Sequence, residues 1–206
     1  MTNQKPTLNV RVPDYPAEQI FVNRWSARGF AQDQIQEETL NTFFEAARWA
    51  PSAFNSQPWR FLYALRGQSE FDAFLAPLAE SNQRWTRYAA ALIYLLSKKY
   101  FIAPGKAEQH FSRTHSFDTG AAWANFANQA AADGWVAHGI GGFDVAKART
   151  ELRVPEGFVV EIAIAIGRKG DGSQLEPALL RRETPTDRSR ISDFVACGLF
   201  SSKFES

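Results

Sequence analysis

Ala46-Ala47-Arg48-Trp49-Ala50-Pro51-Ser52-Ala53-Phe54-Asn55-Ser56-Gln57-Pro58-Trp59 holds a helix end, a polar turn and a strand start in one short span. Upstream, Leu40, Phe43, Phe44 and Ala47 recur at three- and four-residue intervals, the spacing of an amphipathic helix. The residue before a proline is pushed out of the helical region, so the helix is expected to end at Ala50. Between Pro51 and Pro58, the side chains of Ser52, Asn55, Ser56 and Gln57 offer both hydrogen-bond donors and acceptors. With Trp49 and Trp59 holding it rigid, such a loop suits recognition of a flat ligand rich in heteroatoms. From Trp59 to Arg66 the apolar residues Phe61, Tyr63 and Leu65 alternate, which predicts a strand.

The 206 residues suit one domain, and 45% apolar content is enough for a sizeable core. A formal charge of +1 predicts no nucleic-acid partner. Cys197 is the single cysteine, so no intramolecular disulfide forms, and no Cys/His spacing resembles a zinc site; no metal is expected. Met1 to Thr7 lacks the apolar core of a signal peptide. The longest apolar run, Tyr88 to Leu96, falls short of the roughly 20 residues a spanning helix needs. A cytoplasmic protein without membrane partners is the expectation.

Residues 1–20, with three prolines, read as an extended arm, and 21–206 as a single domain. Arg24 and Arg28 flank Ser26 and would share a face on a helical turn. Guanidinium groups grip phosphate with a planar fork of donors; a solvated charged turn would read the same way. Ser69 is expected to cap a short helix with Phe71, Phe74, Leu75 and Leu78 on its buried side. Asn82 precedes the Tyr88–Ser97 run, expected as a buried central strand, and reads equally as a helix-terminal residue. Lys98 to His115 loses regularity and is expected to be a flexible lid or helical excursion. Asp118 to Asp133 is an alanine-rich helix stopped by Gly134.

Gly139-Ile140-Gly141-Gly142-Phe143-Asp144 lacks the third glycine of a dinucleotide-binding fingerprint and shows no convincing strand before it. Gly141 and Gly142 instead let backbone approach a flat ligand, with Asp144 capping a helix that runs through Arg149. Phe158 to Gly167 reads as an internal strand. The tail holds Arg181, Arg182, Arg188 and Arg190, on residues alone a solvated arm.

The run A-R-W-A-P-S-A-F-N-S-Q-P-W at 47–59, Arg24-x-Ser26-x-Arg28, Asn82, Gly141-Gly142 and Arg188 together resemble, in order, the FMN-dependent nitroreductase family. The resemblance implies an α+β fold, a mixed sheet flanked by helices, and an intertwined homodimer with two FMN sites. The segment from about 190 to 206 would cross to the partner subunit. One subunit would hold the FMN phosphate with Arg24, Ser26 and Arg28, Trp25 lying between them, and Arg188 or Arg190 would complete that grip. Pro51, Ser52, Ala53, Phe54, Asn55 and Gln57 of the other would form a wall against the flavin. Asn82 would bond the polar edge of the ring, and the Ile140-Gly141-Gly142 backbone would approach its N5 region. Phe54, Phe101, Phe111 and His115 would line the substrate side.

Three departures stand out: Trp85 replaces a lysine of some relatives, Thr186 replaces another, and Phe54 sits where a small residue is common, implying a narrower aromatic pocket. The implied activity is NAD(P)H oxidation by a ping-pong route through one shared pocket. A small electron-poor acceptor such as a nitroaromatic or quinone would be reduced, with the chemistry at the flavin and no side-chain nucleophile. Two alternatives fit the same residues: a related flavin enzyme such as a reductive dehalogenase-like member, or a non-enzymatic flavin-binding dimer. A serine hydrolase is not the expectation, since no G-x-S-x-G elbow occurs.

Overall fold

A computed structural model describes residues 11–200 and 202–205. The first ten residues of the expected arm lie outside that range; residues 11–18 run without regular structure into helix α1 (Gln19–Asn23). The frame is a sheet of β1 (Trp59–Leu65), β2 (Ala91–Lys98), β5 (Val136–Ile140) and β6 (Phe158–Gly167), in the order β1-β2-β6-β5. All three pairings are antiparallel, with an irregularity between Leu95 and Leu96. The α+β class is as expected. Where a mixed sheet was expected, the described residues give antiparallel pairings alone.

Both faces of the sheet are covered. Ala91, Ile93 and Leu95 of β2, with Ile164 and Ile166 of β6, face helices α2 (Glu37–Arg48) and α5 (His115–Ala132). Leu92, Tyr94 and Leu96, with Val160, Ala163 and Ala165, face α3 (Phe71–Leu75), α4 (Glu80–Thr86) and α6 (Val145–Glu151). Alternate residues serve opposite cores, so the strand reads as one continuous apolar run instead of an amphipathic alternation. In α5 the small residues Ala122, Ala127 and Ala130 are buried, and Phe126 meets Phe43 of α2 edge-on, centroids 5.7 Å apart.

Helix α2 buries Leu40, Phe43 and Ala47, carries Glu37 and Glu38 in its first turn, and ends at Arg48, two residues before Ala50. Trp49 and Ala50 close it with tightened bonds to the carbonyls of Ala46 and Ala47. The expected Ser69 cap does not form. Glu70 precedes α3, and the Ser69 hydroxyl donates to the Glu70 carboxylate at 2.9 Å. Leu78 lies beyond α3, in a bridge to Phe143.

Residues 98–115 form a hairpin of β3 (Tyr100–Ile102) and β4 (Gln109–Phe111), not a helical excursion. Helix α5 begins at His115, three residues before the expected Asp118, and Gly134 takes the left-handed position after it, φ 75°. The strand judged missing before Gly141 is β5. A dinucleotide fold stays excluded, because β5 pairs antiparallel with β6 and Asp144 occupies the last glycine position. Asp144 caps α6 by accepting from the Lys147 amide at 2.9 Å. Past β6 the chain forms α7 (Pro177–Leu180) and α8 (Ile191–Phe194). Among the described residues, no helix is long and apolar enough to cross a membrane.

Candidate functional site

Residues 24–28 form no helical turn: α1 ends at Asn23, Arg24 has φ −63° and ψ 130°, and the following residues carry no regular structure. Ser26, Arg28 and Trp25 line a cavity of about 460 Å³ together with Arg11, Arg181, Arg182 and Arg188. The tail therefore folds back onto the Arg28 segment, although Arg181, Arg182 and Arg188 stay exposed to solvent. Glu183 makes the junction, its Oε1 accepting from the amides of Arg28 and Gly29, both at 2.7 Å. Among the described residues Arg24, Arg28, Arg181, Arg182 and Arg188 enter no ion pair with a carboxylate.

Arg24 borders an adjoining hollow with Ser26, Trp123, Asn128 and Gly139. Burial, and next the charge of Arg188, lower the pKa of its guanidinium; Arg11 is lowered by burial, Arg188 and Arg24. Asp187 acts on Arg11 in the opposite sense, more weakly than the burial and the two arginines. Arg190 lies apart, at the start of α8 beside Asp14 and Tyr15, so of the two tail arginines the fold brings Arg188 to the cavity.

A second cluster adjoins the first. Asn82, on α4, donates through Nδ2 to the Gly142 carbonyl at 3.0 Å, and the Ala79 amide donates to the same oxygen at 2.9 Å. A Cβ on Gly142 would fall 2.6 Å from Asn82 Nδ2, whereas one on Gly141 would meet nothing within 4 Å. Backbone at Gly141 thus faces open space beside Ile140, itself buried in the core. Trp85, one helical turn after Asn82, is buried with Phe30 and lies against His138 of β5 (centroids 4.7 Å) and beneath Arg28. Its core position differs from that of a polar lysine reaching a ligand.

The Pro51–Gln57 loop is a third piece. Phe54, Asn55 and Gln57 have φ of 53°, 53° and 46°, a region L-residues rarely enter and one that costs about 1–3 kcal/mol each. Hydrogen bonds hold this shape. Ser52 Oγ accepts from the Gln57 amide (3.0 Å), and Asp118 Oδ2 accepts from the Ala53 amide (3.0 Å) and from Thr114 Oγ1 (3.1 Å). Trp59 is buried as expected, but Trp49 is 71% exposed and does not brace the loop; its indole donates to Glu45, and Arg48 lies over its ring.

Phe54, 69% exposed, stacks on Phe101 of the hairpin (5.7 Å, 27°). Phe111 packs edge-on against Tyr100 and His115. The four residues thus form two pairs, Phe54 with Phe101 and Phe111 with His115, and the register of Tyr100 on Phe111 and Phe101 on His110 puts Phe101 and Phe111 on opposite faces of the hairpin. Beneath them His115 Nδ1 lies 2.7 Å from Ser97 Oγ, and Ser97 and Ser116 both donate to Glu161 Oε1.

Helix α5 measures the distance between these pieces. Asp118 anchors the loop near its start, while Asn128 borders the Arg24 hollow. At a rise of about 1.5 Å per residue, the two are roughly 15 Å apart along the axis. Asp118, His138, Arg11 and Glu183 carry geometry that sequence reading did not single out. Asp118 sat in a plain helix start, and His138 meets the Ala27 carbonyl across more than a hundred residues of chain.

Comparison with known proteins gives a consistent picture. Residues 22–84, which hold the Arg24 segment, the Pro51 loop and Asn82, match the model described as "Nitroreductase family". A Streptomyces coelicolor protein named for NADH dehydrogenase/NAD(P)H nitroreductase is 34% identical over 73 residues, 35% of this chain and 36% of that protein. The chain thus aligns with about a third of that relative's length. A crystal structure titled as the oxidoreductase containing FMN superposes with a TM-score of 0.89 at 40% identity, over 98% of this chain and 99% of that one. A Desulfovibrio desulfuricans protein named for a nitroreductase, crystallised in complex with FMN, shares the fold, with a TM-score of 0.70 at 22% identity over 91% and 99% of the two chains. With the N-terminal motifs matched in order and the whole fold shared with a 40%-identical oxidoreductase, the chain belongs to the nitroreductase family.

Proposed function

We propose that two copies of this chain bind FMN at their interface and use it to oxidise NAD(P)H and reduce small electron-poor acceptors such as nitroaromatics or quinones. The observation that carries the reading is the arginine cavity, where Ser26, Arg28, Arg181, Arg182 and Arg188 converge, these four arginines forming no ion pair among the described residues. A phosphate monoester carries nearly two negative charges near neutral pH and three acceptor oxygens, which matches that donor set. The Asn82 amide carries both a donor and an acceptor, its Nδ2 on the Gly142 carbonyl and its Oδ1 near the Trp85 indole, and in this reading it turns remaining capacity to the polar edge of a flavin, while Gly141 leaves room for close backbone approach. In this reading Arg24 supports the grip from its adjoining hollow and Arg190 plays no part.

Loop and cavity line no common hollow among those described, and α5 holds them apart. A dimer resolves this, with the Pro51–Gln57 wall supplied by the second protomer. Exposed Trp49, Phe117, Leu199 and Phe200 offer apolar surface for it, and the segment from about 190 onward is read as crossing to the partner. FMN, when bound, supplies the centre that accepts and donates hydride. The chain's own residues bind the phosphate, orient the ring and restrict the acceptor, with Phe54, Phe101, Phe111 and His115 shaping its space. Because one pocket would serve both nucleotide and acceptor, ping-pong kinetics follow.

Purified protein is expected to be yellow, to bleach with NADH or NADPH under anaerobic conditions, and to recolour on adding a quinone or nitroaromatic. Flavin-loaded protein that neither nucleotide reduces would leave only a flavin-binding dimer. A colourless protein that FMN does not reconstitute would overturn the reading.

A further inference from the structure

His138 is one of three histidines in the chain and is only 7% exposed, yet its ring borders the arginine cavity beside Ser26 and Arg28. Its Nδ1 lies 2.9 Å from the Ala27 carbonyl oxygen. A carbonyl only accepts, so Nδ1 carries the hydrogen, and Nε2 is the nitrogen that gains or loses a proton. The indole of Trp85 fixes the ring plane from one side.

The charged groups around this ring oppose one another. Arg28 disfavours the imidazolium, while Glu183 and the carbonyls of Ala27 and Ser26 favour it. Glu183 Oε2 is buried without a hydrogen-bond partner among the described residues, so a bare carboxylate oxygen lies close by. Burial is the largest influence and, with Arg28, holds the His138 pKa below its ordinary value. Arg11, Arg181, Arg182 and Arg188 add positive charge around the same cavity. A phosphate entering there cancels the arginine repulsion and adds an attraction that only the protonated ring can use.

We propose that His138 is a phosphate-binding residue that takes a proton from solvent as the anion enters, so that an imidazolium joins the guanidinium groups in holding the ligand. The proposal rests on the FMN reading above. Its sign is fixed: the ligand-bound pKa exceeds the free one. Binding therefore takes up a proton in the window between the two values and weakens as pH rises through the bound value. Above pH ~7 the phosphate, with a second pKa of about 6, stays largely dianionic, so uptake there belongs to the protein.

The test is an NMR pH titration of the imidazole resonances of the full-length chain, alone, with FMN, and with riboflavin, which lacks the phosphate. His138→Asn identifies the resonance and keeps a donor for the Ala27 carbonyl. FMN is expected to raise the His138 midpoint by about one pH unit or more, equivalent to about tenfold in affinity, and riboflavin to leave it in place. Above pH ~7, where the phosphate is already largely dianionic, FMN affinity is expected to fall with rising pH in the native chain and to be flat in His138→Asn. Bound FMN with an unmoved His138 midpoint overturns this inference alone, as does an equal rise with riboflavin. FMN that fails to bind at any pH overturns the flavin reading and this one with it. Should the variant not fold, the midpoint shift in the native chain still decides.

Discussion

Phe54 and Asp118 together show how single residues set the shape of the Pro51–Gln57 loop. An aromatic residue at φ 53° persists only where its surroundings over-determine it, and here the neighbouring Ala53 amide is pinned to Asp118, a carboxylate only 4% exposed. Asp118→Ala would leave that amide and Thr114 Oγ1 without their acceptor. The expected loss is about 1–3 kcal/mol of stability in thermal denaturation. FMN affinity in a fluorescence titration should fall about tenfold or more, since each 1.4 kcal/mol is a factor of ten. Unchanged FMN affinity would mean that the loop shape does not matter to the ligand. Phe54→Ala acts differently, because it removes the ring stacked on Phe101 but none of the loop's hydrogen bonds. FMN affinity should stay within a few-fold while the acceptor preference shifts toward bulkier molecules, read as kcat/KM across a size-graded acceptor series. An unaltered series would rule out Phe54 as the residue that narrows the pocket.

Among the elements, those legible in the sequence carry both a period and a stop. Helix α2 has Leu40, Phe43 and Ala47 with Pro51 beyond them, and β6 runs from Phe158 to Gly167 as read. The β3–β4 hairpin had neither. Its strands are three residues long, and Gln109, His110 and Phe111 are all exposed, so no buried face imposes an alternation. The same limit hid the cavity: Arg181 and Arg182 look like solvated tail until Glu183 ties that tail to the amides of Arg28 and Gly29. The hairpin's exposure yields a prediction. Replacing residues 100–111 with a short Gly/Ser link should shift the thermal midpoint by no more than about 2–4 °C, the equivalent of roughly 1 kcal/mol for a chain this size. FMN binding should persist while KM for the acceptor changes several-fold. A chain that loses FMN on this replacement would place the hairpin in the cofactor site.

For the whole molecule, the question is whether one flavin site draws on one protomer or two. The arginine cavity and the Asn82–Gly142 corner connect within a protomer through Trp85 and His138, whereas the Pro51–Gln57 loop lies at the other end of α5. A two-fold dimer would bring each loop to the other protomer's cavity and make two equivalent composite sites. Two disabled chains distinguish the cases: a grip-deficient Arg28→Ala/Arg188→Ala chain and a loop-deficient Asp118→Ala chain, co-expressed with different affinity tags. Each homodimer has every site damaged under either arrangement. In the heterodimer a composite arrangement pairs the intact cavity of one chain with the intact loop of the other, restoring one good site of the two. An intra-protomer arrangement restores none, since each chain carries its own defect. Tandem-purified heterodimer is therefore expected to bind one FMN per dimer at native affinity. A heterodimer as weak as its parents, or a native chain that sediments as a monomer with FMN bound, would show that each protomer builds its site alone.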